Sequence, residues 1–268
     1  MRHVRIAAIA FLVAVFAASL GANFVAPAGY AQQFRDVPDA APSRQHLLGT
    51  DDLGRDRFSR LLYGTRISLV LAPAAALLAS TLAGAIGGAA GFAGGALESW
   101  VMAATDLFLS LPWLFLLITV RALLPLNVTP LASVAITFAL LGCLGWAAAA
   151  RVVCADARAL RDSEIVLLAR ATGSSGLRLL WRQLLPNLRP VLVAQFWISV
   201  PVFILTEANL GILGLGVAEP LPSWGSLLRE LESFSAYQAQ PWLFAPLVLL
   251  VLTVSSFHLA LEKQEVWG

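Results

Sequence analysis

Long apolar runs, separated by short polar segments, extend over most of this chain. A helix that crosses the hydrocarbon core of a bilayer needs about 20 apolar residues, and several of the runs reach that length. They predict six membrane-spanning helices at residues 6–30, 67–97, 99–120, 131–150, 191–215 and 241–261. The pattern therefore predicts an all-α integral membrane protein with six transmembrane helices.

Composition supports the same class. Hydrophobic residues make up 59% of the 268 residues and charged residues 13%, whereas a soluble domain carries about 25% charged residues. The formal net charge of +2 is small, and no basic patch interleaved with aromatic residues occurs, so nucleic acid is excluded as a partner and the lipid bilayer is expected. Cys143 and Cys154 lie in or beside one apolar span and are predicted to be packing residues.

The first span has two interpretations. Arg2 and Arg5, the apolar core of residues 6–18 and the small residues around Tyr30 are typical of a secretory signal with its cleavage site. The uncharged run is longer than the apolar region of such a signal and would span a bilayer, which favours a retained helix. Both interpretations orient the other five helices in the same way.

Two acidic residues interrupt the spans, Asp106 in the third and Glu207 in the fifth. An isolated helix could not carry them cheaply through a bilayer, so they are predicted either to face the interior of the helix bundle or to line a passage. Gly87 and Gly91 have the GxxxG spacing that lets a second helix approach closely. This signal is weak, because such pairs arise often by chance in spans rich in Gly and Ala.

A polar segment, residues 161–190, separates the fourth and fifth spans. Its pattern predicts two short amphipathic helices joined by a turn at residues 173–176. The first apolar face consists of Ile165, Val166, Leu168 and Ala169. Pro186 is predicted to end the second helix. An amphipathic elbow on the charged side of a membrane protein is typical of a docking surface.

Arginine placement predicts the orientation in the membrane. Residues 151–189 carry seven arginines, and the positive-inside rule places this block in the cytoplasm together with both termini, including the tail 264–268. The arginines of the segment 31–66 argue against this assignment, because the acids that accompany them count little in the rule.

Two further polar segments lie outside the predicted spans, at residues 46–66 and 223–225. One interpretation is a structured turn that leads into the second span, with ion pairs that contribute little if they are exposed. The other interpretation is a contact surface for a partner that arrives from outside the membrane. The candidates for that contact are Gly49, Asp51, Gly54, Arg55, Asp56 and Trp224.

Motifs for catalysis, metal binding and cofactor binding are missing from the sequence. A Walker A loop needs a Lys after a Gly, and the single lysine, Lys263, does not follow one. The histidines His3, His46 and His258 are far apart and lack a metal-ligand spacing. No Gly-x-Ser-x-Gly turn occurs either. We therefore predict no catalytic residue, metal site or bound cofactor in this chain.

Five separated motifs follow one another in the part of the chain that begins at residue 46. They are HLLGTDDLGRDRFSRLLYGTRISL at 46–69, DLFLSLP at 106–112, ARATGSSGLRLLWRQLLPN at 169–187, Glu207 with LGILGLG at 210–216, and PSWG at 222–225. On these motifs the chain resembles the inner-membrane permease subunits of binding-protein-dependent ABC importers, and in particular the second permease of the dipeptide, oligopeptide and nickel group. The resemblance implies a transmembrane domain at residues 67–263 with a cytoplasmic coupling elbow at 161–190, between helices four and five.

In such a permease the elbow receives the stroke of the ATPase subunits. The coupling residues that the resemblance implies are Leu167, Ala169, Arg170, Ala171, Gly173, Arg178, Arg182, Pro186 and Asn187. Leu167 stands where the family usually has an acid, so coupling is expected to depend more on the apolar face and on the arginines. Glu164 could supply the missing charge from one turn away.

The resemblance also implies the partners. They are a sister permease that completes a heterodimer, two ATPase subunits that bind ATP and magnesium, and an external solute-binding protein that delivers peptides, nickel complexes or similar solutes. Helix five, with Glu207, Gly211 and Gly214, would line the passage, and the chain itself would be a multi-pass protein of a bacterial-type inner membrane without enzymatic activity. An ion-coupled secondary transporter and a membrane scaffold are the alternative functions.

Overall fold

The computed structural model describes residues 2–125, 128–171, 179–232 and 240–261. Its regular elements are helices, and the described residues otherwise contain two isolated β-bridges. The α-helices are α1 Arg2–Leu20, α2 Ala22–Val25, α3 Arg57–Ala93, α4 Gly95–Leu109, α5 Trp113–Leu123, α6 Pro130–Leu144, α7 Ala147–Arg161, α8 Glu164–Ala171, α9 Leu185–Ile212, α10 Trp224–Leu228 and α11 Ala245–Leu261. A π-helical turn at Leu180–Leu184 and 3₁₀ turns at Arg229–Glu232 and Pro241–Phe244 complete the described helical structure.

The prediction of an all-α membrane protein is confirmed. In the described parts of the chain, five helical stretches are long and apolar enough to cross a bilayer: His3–Leu20, Arg57–Ala93, Pro130–Arg161, Arg182–Ile212 and Pro241–Leu261. The pair α4 and α5 passes the same test together, although the two helices are bent by 84°. These elements correspond in order to the six predicted spans.

Helix α3 begins ten residues before the predicted span, at Arg57, and ends at Ala93 instead of residue 97. Asp56 caps its start, since Asp56 Oδ1 accepts a hydrogen bond of 2.7 Å from the Ser59 backbone N–H. Gly94 follows the last residue of the helix with φ 72° and ψ −168°, a backbone conformation that is open to glycine and rare for other residues. The predicted boundary between segment 31–66 and the transmembrane domain therefore falls inside a helix.

The first span is shorter than predicted. Helix α1 ends at Leu20, and after the single turn of α2 the backbone is extended at Ala26, directly before Pro27. A residue that precedes proline is disfavoured in the helical conformation, which explains why the apolar run up to Tyr30 does not continue as helix. Helix α1 packs along α11.

The third span is broken where a single helix was predicted. Pro112 supplies no backbone N–H and disfavours helical geometry at Leu111, and α4 ends at Leu109. The Ser110 hydroxyl donates to the Leu107 carbonyl at 2.6 Å, which satisfies one of the free carbonyl groups of the last turn.

The fourth and fifth spans also differ from prediction at their ends. After a short break at Gly145 and Trp146, the fourth continues as α7 to Arg161, eleven residues beyond the expected end. Helix α9 starts at Leu185, directly after the π-helical turn, instead of at residue 191. The sixth span covers the predicted residues.

The chain forms two compact units. The first consists of Met1–Ala72, Ala122–Phe138 and Pro201–Gly268, and the second of Pro73–Arg121 and Ala139–Val200. In the second unit the glycines of α3 lie directly against α7: a Cβ added at Gly87 would stand 2.2 Å from the Ala150 carbonyl oxygen, and one at Gly91 would stand 2.3 Å from the Cys154 carbonyl oxygen. The predicted close helix approach at this GxxxG pair is confirmed.

Candidate functional site

The first helix of the predicted elbow is α8, in the second compact unit. Val166 is buried, whereas Leu167 and Leu168 are 53% and 68% exposed. The predicted apolar face is therefore divided, because Leu168 points away from the side that Val166 buries. Glu164 and Ala171 are exposed. Two adjacent leucines on an exposed helical turn form an apolar surface that the described residues of this chain leave more than half uncovered.

The turn of the elbow, including Gly173 and Arg178, lies outside the described residues, and the side chain of Arg170 is likewise not described. The chain is described again from residue 179, where the π-helical turn Leu180–Leu184 leads directly into α9. The prediction that Pro186 ends the second helix is wrong, since Pro186 lies in the first turn of α9.

A physical reason for this continuity lies in the π-helical turn itself. Proline in an α-helix clashes with the carbonyl four residues earlier and leaves it without its hydrogen bond, and a wider π turn relieves that conflict. The Asn187 side chain adds a donor, since its Nδ2 donates to the Gln183 carbonyl at 2.6 Å. Arg182, Pro186 and Asn187 are all exposed, on the same part of the chain as the elbow.

An apolar cluster holds the C-terminal end of the elbow. Leu184 and Leu188 pack against Val153 and Ala157 of α7, and all four residues are buried. Burial of leucine side chains stabilises a contact by about 1.5–3 kcal/mol each relative to exposure. The chain that leaves the elbow is thereby fixed to the helix that enters it.

Asp51 and Asp56, two of the candidates for an external contact, are buried in the first compact unit. Asp51 accepts hydrogen bonds from the backbone and the side chain of Arg55, at 2.7 and 2.6 Å, and Asp56 accepts from Ser59 and pairs with His46 at 2.9 Å. Their carboxylates are thus engaged in the local structure. They cannot form a contact surface in this conformation, so the alternative interpretation, a structured segment that leads into the helix, applies to them.

The glycines of the same segment are required by backbone geometry. Gly49 and Gly54 have φ values of 71° and 73°, and a Cβ at either position would stand 2.2 Å from a carbonyl oxygen, of Ala40 and Phe34 respectively. Left-handed backbone with such close neighbours favours glycine. Both residues therefore shape the segment instead of contacting a partner.

Long-range ion pairs fix this segment to the rest of its unit. Arg55 and Arg60 bind the two oxygens of Glu219 at 2.6 and 2.8 Å, and Arg57 pairs with Glu230. Burial opposes the charge of Arg55, but the hydrogen bond to Asp51 and the charge of Glu219 outweigh it and raise the pKa of Arg55. The arginine is therefore held in its charged form.

Burial also raises the pKa of the Glu230 carboxyl above its ordinary value, against the opposing effect of Arg57 and Arg60. Sequence reasoning missed Glu219 and Glu230. No local pattern could have identified them, because their arginine partners lie more than 150 residues earlier in the chain.

Trp224 is completely buried in the first unit. Its indole Nε1 donates to Thr65 Oγ1 at 2.9 Å, and Ser223 caps the short helix α10 that follows. The side chain is thus a core residue that attaches α10 to α3, and it is not available for an external contact in this conformation. Buried indoles normally find such a hydrogen-bond partner.

Glu207 lies in the interior of the first unit, with no exposed area. Its Oε2 accepts a hydrogen bond of 3.2 Å from Ser68, whereas Oε1 has no well-aligned donor among the described residues, although Ser223 and the Gly225 backbone face the carboxylate. This burial agrees with the interpretation that Glu207 faces the interior of the helix bundle.

The glycines near Glu207 have separate structural tasks. A Cβ on Gly211 would stand 2.4 Å from Gly225 Cα, so Gly211 allows the backbone of α9 to meet the start of α10. Gly214 has φ 73° and ends α9 in a Schellman motif, in which the Leu215 N–H bonds to the Leu210 carbonyl at 2.8 Å. The helix end explains Gly214 without a role in lining a passage.

Asp106 is exposed and forms an ion pair of 3.1 Å with Arg151 in the second unit. Asp106 is thus not buried among the described helices of its unit, and a role in lining a passage stays a prediction. Among the described ranges of the chain, no group of three or more His, Cys, Asp or Glu side chains is placed to hold a metal ion.

Several apolar helical spans and glycine-mediated helix contacts define the chain as a multi-pass membrane protein. Residues 80–262 match the binding-protein-dependent transport system inner membrane component, and the chain belongs to this family. It is thus a permease subunit of a binding-protein-dependent ABC importer, which confirms the resemblance seen in the sequence.

Several curated proteins are similar to this chain. The oligopeptide transport system permease protein OppC of Bacillus subtilis is 34% identical over 223 residues, which cover 82% of this chain and 70% of that protein. The dipeptide transport system permease protein DppC of the same organism is 30% identical over 250 residues, 92% of this chain and 75% of that protein. The glutathione transport system permease protein GsiD of Pectobacterium atrosepticum is 31% identical over 259 residues, which cover 96% of this chain and 84% of that protein.

Proposed function

We propose that this permease carries peptides and forms half of the translocation path, with a sister permease as the other half. The support is that the similar proteins named above are permeases for oligopeptides, dipeptides and glutathione, all of which contain peptide bonds. Nickel complexes are the second cargo class to test. An external binding protein delivers the cargo, so selectivity rests largely on that partner.

The energy source in this proposal is a pair of separate ATPase subunits, which bind ATP and magnesium. They dock on the elbow, and the observation that carries this assignment is the exposed pair Leu167 and Leu168 on α8. An apolar turn at an exposed position gains free energy when a partner's cleft covers it. Closure of the ATPases then moves α8, and tilting of the attached helices switches the passage between its two openings.

The elbow and both termini face the cytoplasm in this proposal. The arginines of residues 151–189 support this orientation. In the same frame the segment 31–66 and the Ser223 turn face the outside, where their buried ion pairs give the outer ends of the helices a fixed shape. Asp106, exposed beside Arg151, is the passage-lining candidate, and Glu207 and Gly211 maintain the helix interior next to the passage.

The test is uptake by the complete importer, with this chain, its sister permease, both ATPases and the binding protein reconstituted in vesicles. ATP-dependent accumulation of labelled di- and tripeptides is expected. The variant Leu168→Asp should lose ATPase binding at normal membrane abundance, whereas Asp156→Asn, at an exposed position of α7, should retain it. Uptake driven by a proton gradient in the chain alone would contradict the proposal in favour of a secondary carrier. Assembly without uptake of any peptide or nickel complex would favour a scaffold.

A further inference from the structure

A second group of charged residues lies at the junction between α3 and α4, in the second compact unit. We call Glu98, Arg158 and Arg161 the Glu98 cluster. Glu98 is in the first turn of α4 and is buried, while both arginines are in the last turn of α7. The charges suit both helix ends, since an acid is favourable at a helix N-terminus and a base at a C-terminus. Sequence analysis does not single out Glu98.

Each arginine of the cluster binds the same carboxylate. Arg158 donates to Glu98 Oε1, and Arg161 Nη1 lies 3.3 Å from Oε2. Arg161 also donates to the Gly91 carbonyl at 3.1 Å and to the Asp162 carboxylate at 2.8 Å. One guanidinium therefore connects the last turn of α3, the first turn of α4 and the residue that leads towards α8.

The backbone at this junction leaves room for the arginine. Gly94 has φ 72°, and a Cβ there would stand 2.0 Å from Arg161 Nη1. Residues with a side chain at this position would strain the backbone and displace the guanidinium. The position of the Arg161 guanidinium therefore depends on a glycine at position 94. An ion pair on a solvated surface would not require such a glycine.

The other end of the elbow is held on the same helix. Leu184 and Leu188, which follow the elbow, pack on Val153 and Ala157 of α7, so the chain enters and leaves the elbow at neighbouring turns of one helix. Glu98 binds the last turn of α7, where the chain enters the elbow. Glu98 is therefore the buried ionic connection between the end of α7 and α4, beside the exposed pair of Asp106 and Arg151.

We infer that Glu98 is a positioning residue that makes α3 and α4 follow the movement of the elbow. This inference rests on the proposed function, in which ATPases displace α8. With Glu98 in place, α7 cannot shift relative to α4 unless a buried carboxylate gives up two guanidinium partners, which is costly. Without Glu98, the exposed pair of Asp106 and Arg151 is the ion pair that still joins α4 to α7 among the described residues, so α4 follows the elbow poorly and more ATP is hydrolysed for each peptide transported.

The test measures ATP hydrolysed per peptide imported by the complete importer in vesicles. Glu98→Gln should raise this ratio at least about fivefold, the lower end of ordinary coupling between sites. Asp156→Asn is the matched control, because Asp156 is an exposed carboxylate on α7 two residues before Arg158, and its ratio should stay within about twofold of wild type.

Two comparisons separate the possible failures. If Leu168→Asp on α8 leaves coupling intact, the elbow is not the ATPase contact and the proposed function fails. If Leu168→Asp abolishes coupling while Glu98→Gln keeps a normal ratio, the inference about Glu98 alone is overturned. Should Glu98→Gln fail to reach the membrane, Arg158→Gln is measured instead, because that side chain is 55% exposed and its loss is milder. A normal ratio in that variant, at normal abundance, also overturns the inference.

Discussion

Substitution of Gly87 by alanine tests the helix contact between α3 and α7. At an open helical position Gly→Ala stabilises by up to about 1 kcal/mol, because glycine loses more backbone freedom on folding. At Gly87 the new Cβ would stand 2.2 Å from the Ala150 carbonyl oxygen and 3.0 Å from Ala150 Cα, both backbone atoms that cannot rotate away. Ordinary contact would require the two helices to separate by roughly 1 Å, at an overpacking cost of about 1–3 kcal/mol. The expected net effect is therefore destabilisation.

The measurement is whether Gly87→Ala raises or lowers the thermal unfolding midpoint. Thermal unfolding of the detergent-solubilised importer should show a lower midpoint for Gly87→Ala than for wild type. The control is the neighbouring Gly88→Ala, whose Cβ would meet a methyl group of Leu188 at 3.3 Å, the flexible end of a side chain. Its midpoint should stay near the wild-type value. A midpoint for Gly87→Ala at or above wild type would refute the close backbone contact.

Two further predictions concern the first compact unit. Trp224→Phe removes the indole donor to Thr65 and should lower the free energy of unfolding by about 1 kcal/mol or more, since a buried hydrogen bond is lost. Thr65→Val should lower it by a similar amount. Additive losses in the double variant would show that the two residues do not interact. Because the pKa of Glu230 is raised in the folded protein, its contribution is fully present below the ordinary value of 4.5 and is lost as the pH rises through the raised pKa. Unfolding from about pH 4 to about pH 7 should therefore show wild type losing stability relative to Glu230→Gln, and parallel curves would contradict this account.

The hydrophobic pattern predicts where helices lie in this chain, and local chemistry determines where they end. The apolar runs identified all six spans because burial in lipid requires long uncharged segments. Pro112 and Pro27 shorten or break two of them, and both effects follow from proline geometry that the runs conceal. Helix α3 begins ten residues before its apolar run because Asp56 caps its first turn, which the hydrophobic pattern does not reveal.

The candidate site was predictable only in part. A short helix at residues 164–171 followed from periodicity, and the sequence motifs led to the correct family. Sequence reasoning treated Asp51, Asp56 and Trp224 as possible contacts, since their burial depends on residues that are far away in the chain. Glu98 escaped notice for the same reason: its arginine partners are about 60 positions later and share no local spacing with it.

The break between α4 and α5 has a consequence for what surrounds the chain. At 1.5 Å per residue, the 15 residues of α4 and the 11 of α5 extend about 22 and 16 Å, so neither helix alone crosses a hydrocarbon core of about 30 Å. The non-helical residues Ser110, Leu111 and Pro112 then lie at membrane depth, and they are exposed on the single chain. The N–H groups of Ser110 and Leu111 bond back to carbonyls of α4, and the Pro112 carbonyl accepts from the Leu116 N–H. The need for an outside partner therefore falls on the Ser110 and Leu111 carbonyls, and lipid tails offer them no hydrogen bond. We therefore expect this side of the permease, one turn from Asp106, to be solvated by water or covered by a neighbouring subunit, and never by acyl chains.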